Sequence, residues 1–191
     1  MLLTNSEWRN TAISFFSFML SFGLLRTWPI YFTPLTDFMT QYNNYNSSSV
    51  EYTNVKLGIG RTSSLLSIGL TIGSLSCGAI LPVLGNKKTF FMSGTSVFIL
   101  FNLLSFSLRF IDSIRIVLPV TFAVMFMIGV FCGIMNTCAQ NQLAKSIDKE
   151  RMLLAFCFMI LGSSAAYFTL PTLFSVTSEK FGLKTSLHIT G

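Results

Sequence analysis

Five long apolar runs divide the chain, at residues 11–33, 62–84, 89–108, 117–138 and 152–175. Each can cross about 30 Å of hydrocarbon as a helix, which takes about 20 residues. A sixth run starts near Thr185, and the sequence ends at Gly191. None of the runs alternates with period two, which argues against barrel strands. The first is too long for a signal peptide's apolar core, and no small-residue cleavage site follows it. The pattern predicts an all-α fold: a polytopic membrane helix bundle with five transmembrane helices and the start of a sixth.

The polar links refine this picture. Only Gly85-Asn86-Lys87-Lys88 separates the second and third runs, so these helices must be antiparallel neighbours. A long polar loop joins the first two runs and contains the sequon Asn46-Ser47-Ser48. Asn46 is a glycosylation candidate only where that loop faces the lumen or the outside. Counting basic residues does not fix orientation. With the N-terminus in the cytoplasm, six fall inside (Arg9, Lys87, Lys88, Lys145, Lys149, Arg151) and six outside.

Composition agrees with a membrane class. Of 191 residues, 51% are hydrophobic and 10% charged, against about 25% charged in soluble domains. The net charge is +6, but the basic residues are scattered singly or in pairs, which speaks against nucleic-acid binding. Cys77, Cys132, Cys138 and Cys157 lie in apolar stretches without metal-ligand spacing and read as small packing residues. No metal and no cofactor are implied. No catalytic or nucleotide-binding motif occurs, so an enzyme is disfavoured. The lone His188 reads as a helix-end residue. All seven acids fall outside the predicted spans, so this stretch offers no intramembrane proton carrier.

Arg26 is the one ionisable residue inside a span. An arginine at mid-helix costs about 2.5–3.5 kcal/mol on insertion scales. Two readings are open: it faces a wet cavity and holds a carboxylate, or it snorkels to the interface. Pro29 follows three residues later and should break the helix by removing a backbone donor. It serves either substrate access or nothing beyond a tolerated kink. Gly69-x-x-x-Gly73 and Gly162-Ser163-Ser164-Ala165-Ala166 read first as close-packing faces, and as lining of a translocation path only second.

The segment from Gly78 to Lys88 resembles the signature loop of the major facilitator superfamily, with Gly78, Gly85, Lys87 and Lys88 matching. Pro82 and Val83 stand where the pattern has an acid and a base. Three further stretches resemble the monocarboxylate-transporter family. They are Ser21-Phe22-Gly23 through Phe32, Arg151 through Ser163, and Phe181-Gly182-Leu183-Lys184-Thr185-Ser186. Their order and spacing agree across nearly the whole chain. The family's first-helix lysine falls on Ile30 and a glycine on Cys157, and its acidic opening is reduced to Glu7-Trp8.

The resemblance implies a divergent member and a major-facilitator-type N-terminal half. The implied activity is alternating-access transport of small organic anions, monocarboxylates first, with proton coupling in the intact protein. Arg26 would supply the cation one turn before Ile30, and the two would share a helix face. Arg151 would anchor the entry of the fifth helix. The resemblance also implies a plasma-membrane protein with a cytoplasmic N-terminus and Asn46 outside. The alternatives are a half-size membrane protein that binds an accessory or full-length partner, and a half-transporter that works as a dimer.

Overall fold

A computed structural model describes residues 3–32, 35–37, 50–110 and 114–190, with backbone alone for residues 26, 31, 50, 51, 108–110, 114, 115, 174 and 177–190. Five long helices follow one another: α1 (Asn5–Thr27), α2 (Val50–Leu84), α3 (Asn86–Phe110), α4 (Ile114–Ser146) and α5 (Lys149–Thr190). Among the described residues there is no strand. A short 3-10 turn, Trp28–Tyr31, extends α1. Asn46 lies outside the described residues.

Local chemistry sets the helix ends. Thr4 caps α1 through a capping box: its hydroxyl faces the Glu7 amide, and the Glu7 side chain returns to the Thr4 amide at 2.6 Å. Pro29 sits at the first positions of the 3-10 turn, where its missing N–H costs nothing. The break therefore comes as a change of helix type at Trp28, five residues before the predicted end at Thr33. The turn between α2 and α3 is tighter than its four polar residues suggested. Gly85 alone stands outside a helix, at φ +77°, while Asn86, Lys87 and Lys88 form the first turn of α3. Left-handed geometry costs an L-residue about 1–2 kcal/mol. Gly85→Ala should lower unfolding stability by that amount, with Gly85→Asn closer to wild type, as read by thermal unfolding in detergent.

The helices outrun the apolar runs that announced them. α2 begins at Val50, twelve residues before 62, because the polar positions among residues 50–61 do not interrupt the helical backbone. α5 continues through Thr190. No separate sixth helix starts near Thr185. Between Val176 and Thr190 there is no proline, and the lone Gly182 costs only about 1 kcal/mol, too little to stop a helix already formed.

Unlike a soluble bundle, this one carries bulky apolar side chains on its outer face as well as in its core. Leu24, Trp28, Ile59, Leu66, Met125 and Ile128 are buried in the main core. Phe16, Leu75, Phe91, Leu153 and Phe168 face outward, and most of each span's apolar surface does the same. Backbone contact, not side-chain bulk, holds α2 to α4. A Cβ added at Gly69 or Gly73 would strike the carbonyls of Phe126 or Val130, and one at Gly129 or Gly133 those of Leu66 or Leu70. Two small-x-x-x-small pairs thus face each other, which brings both backbones close enough for dispersion to replace the missing hydrophobic drive. α1 meets α5 in a similar way, with Gly162 against the Phe15 carbonyl and Gly23 against Ala166 and Leu170. Cys77, Cys132 and Cys138 are buried in these seams, whereas Cys157 is exposed on α5, outside the packing role expected of it.

Candidate functional site: a polar seam between α1 and α4

Ser14, Ser17 and Ser21 recur every three to four residues and so share one face of α1. All three are buried against α4. Asn136 answers them. Its Oδ1 accepts from Ser17 Oγ at 3.1 Å and from Ser21 Oγ at 3.0 Å. One turn away, Ser14 Oγ donates to the Ala139 carbonyl at 3.2 Å. The amide Nδ2 of Asn136 has no hydrogen-bond partner, although the residue is only 4% exposed. A buried donor left unpaired in an apolar surround costs about 1–3 kcal/mol. Exchanging the two amide atoms would only move the deficit to the oxygen. The seam therefore holds a donor that a polar guest could satisfy.

Sequence reading passed over this cluster. Its signals were present: one amide in the otherwise apolar run 117–138, and three serines at helical spacing in the first. It passed over a second feature as well. Glu7 is buried in the first turn of α1, and its carboxylate accepts from Arg151 Nη1 at 2.7 Å. Arg151 Nη2 reaches Asp148 at 2.6 Å. Arg151, in the first turn of α5, is thus ion-paired to Glu7 in the first turn of α1. Arg151→Met would strand a buried carboxylate, which is worse than losing both charges. Arg151→Met should therefore melt at a lower temperature than the Arg151→Met/Glu7→Gln double variant.

The other singled-out positions fall as follows. Arg26 occupies the last turn of α1, and its side chain lies outside the described residues. Ile30 is 43% exposed in the 3-10 turn. A 3-10 turn advances about 120° per residue against about 100° in an α-helix. Position 30 is thereby rotated about 60° further from position 26 than the shared-face expectation required. Gly78 lies on an open face of α2, with space for a side chain. Gly85, Lys87 and Lys88 stand together at the α2–α3 turn, both lysines exposed. In the α5 run, Gly162 and Ala166 pack on α1, while Ser163 and Ser164 line a shallow groove with Phe22 and Tyr167. Among the described residues no group of His, Cys, Asp and Glu could hold a metal ion.

Five apolar helices, packed through small residues and turning their bulk outward, define an all-α polytopic integral membrane protein. No family model, curated protein or solved structure matches the chain.

Proposed function

We propose that the chain is the N-terminal portion of a secondary transporter of the major facilitator type. It would carry small organic anions, monocarboxylates by resemblance, and couple to protons in the intact protein. The observation that carries this reading is the exchange pattern of the helix pairs. α1 packs chiefly on α5 and α2 on α4, each through glycines with backbones touching. Swapping helix one with four and two with five turns either pair into the other. This is the pattern of an inverted repeat, whose binding site lies near the midplane at the repeat interface. The α1–α4 pair maps onto itself under the swap, and it holds Ser17, Ser21 and Asn136.

In this reading the two halves rock about an anion held by Arg26, with Asn136 offering its free N–H. The N-terminus and the Gly85-Lys87-Lys88 turn face the cytoplasm, Asn46 faces outside, and the plasma membrane is the expected location. The chain acts as a carrier, not as an enzyme. The test is uptake of labelled short-chain monocarboxylates by cells expressing the complete native product. Saturable uptake that rises as the outside is acidified is expected. Uptake no greater than in control cells, at confirmed surface expression, overturns the proposal. A native stop codon after Gly191 would favour the half-size partner or dimer instead.

A further inference from the structure

α1 and α3 begin at the same end of the bundle where α2 and α4 finish, and there a cavity of about 340 Å³ opens between α1, α3 and α4. Arg9, Lys87, Asn86 and Gln142 give it polar walls, and Phe90 and Phe91 an apolar one. The amides are already fixed in place. Asn86 Nδ2 donates to the Cys138 carbonyl and to Gln142 Oε1, both at 3.0 Å. Among the described residues both ion pairs belong to Arg151, and neither involves Arg9 or Lys87. The N-terminal end of α3 adds positive potential at the same place.

A second groove, of about 330 Å³, continues from this cavity. It shares Phe90 and Phe91 and runs on past Gly94 and Thr95 to Phe98. From Lys87 to Phe98 the helix rises about 16 Å, roughly half the hydrocarbon thickness. A site with two cations at one end and a dry trough down the same helix matches an anion that carries a tail. Gly94 keeps the trough open, and a Cβ there would meet only Met135 Sδ, at 3.8 Å.

We propose that the two cavities together bind an acidic phospholipid. Its phosphate lies between Arg9 and Lys87, where the guanidinium can take two oxygens and the ammonium acts as a point charge. One acyl chain follows α3 from Phe91 to Phe98. The site is separate from the proposed substrate contacts: it borders the Ser14–Ala139 end of the α1–α4 seam but uses neither Arg26 nor Ser17, Ser21 and Asn136.

The test places the full chain in phosphatidylcholine vesicles with a trace of spin-labelled phosphatidylglycerol or phosphatidylcholine. The motionally restricted fraction of each lipid is read by electron spin resonance. Two interfacial cations at about 1 kcal/mol each predict a roughly 30-fold preference for phosphatidylglycerol. Arg9→Gln/Lys87→Gln should bring it to within about twofold, while Lys145→Gln/Lys149→Gln, which removes two cations of the same end outside the cavity, should leave it intact. Gly94→Leu should weaken the restriction of the chain without touching a charge. Equal loss in both double variants would reduce the effect to plain surface charge and overturn the site. So would displacement of the lipid by inorganic phosphate. Should a variant misfold, the wild-type chain still decides: acyl-diazirine phosphatidylglycerol must label α3 between Phe90 and Phe98, and even labelling of all helices refutes the proposal.

Discussion

Replacing Gly73 by leucine is expected to prise α2 from α4 and leave no stable bundle. The neighbour of Gly73 is the backbone of Val130, not the movable end of a side chain. A helix backbone cannot yield locally without breaking its own hydrogen bonds, so the helices must separate as rigid bodies. That separation gives up the contacts at Gly69, Gly129 and Gly133 together. Overpacking in a yielding core costs about 1–3 kcal/mol, and this site belongs at or above the upper end. Gly78→Leu is the matched control, because nothing lies within 4 Å of a Cβ added there. It should stay within about 0.5 kcal/mol of wild type. Both variants can be compared by thermal unfolding in detergent, with size-exclusion profiles as a check on aggregation. If Gly73→Leu melts alongside Gly78→Leu, the backbone-to-backbone seam is wrong.

The second large effect concerns transport. Arg26→Ala should abolish uptake by the complete protein at equal surface expression. An arginine inside an apolar span carries an insertion cost, about 2.5–3.5 kcal/mol at the helix centre and less in the last turn of α1 where Arg26 stands, and a substrate contact would offset it. The 3-10 turn at Trp28–Tyr31 follows directly, and Trp28 is locked there by donating its indole N–H to Thr62 on α2 at 2.5 Å. Position 26 is thus held at the point where α1 changes pitch. Loss of a desolvated charge contact costs about 2–5 kcal/mol, which predicts a fall in kcat/KM of roughly 30-fold or more. Arg26→Lys keeps the charge but loses the planar fork, so KM should rise while kcat changes little. Unchanged rate and affinity in Arg26→Ala would remove Arg26 from the substrate path.

How much of this was legible in the sequence depended on distance along the chain. The five spans could be read because each is a continuous apolar run, and burial in lipid demands nothing subtler. Their ends could not. The polar residues 50–61 are as helical as the apolar ones after them, since helix continuity is a backbone property and hydropathy reports only the solvent. Gly69-x-x-x-Gly73 was readable as a packing face because the motif is local, but its partner Gly129-x-x-x-Gly133 required knowing that α2 meets α4. The same holds for Glu7 and Arg151, 144 residues apart, and for Ser17 with Asn136. Spacing within a helix shows which side chains share a face, and it does not show which helix that face will meet.

The Glu7–Arg151 bridge has a consequence for how the chain is made. α1 finds its main partner in α5, the fifth of the long helices to be synthesised. At about 5–20 residues per second, the ribosome needs roughly 6–25 s to proceed from Thr27 to Arg151. Through that interval α1 waits in the membrane with Glu7 unclaimed, while its serine face meets α4 earlier. Arg151 emerges at the head of α5, two residues after Lys149, and is the cation of that turn that pairs with Glu7. The pair is thereby placed as an assembly latch: it closes one end of the α1–α5 seam, and the glycine contacts at Phe15 and Gly23 lie further along it.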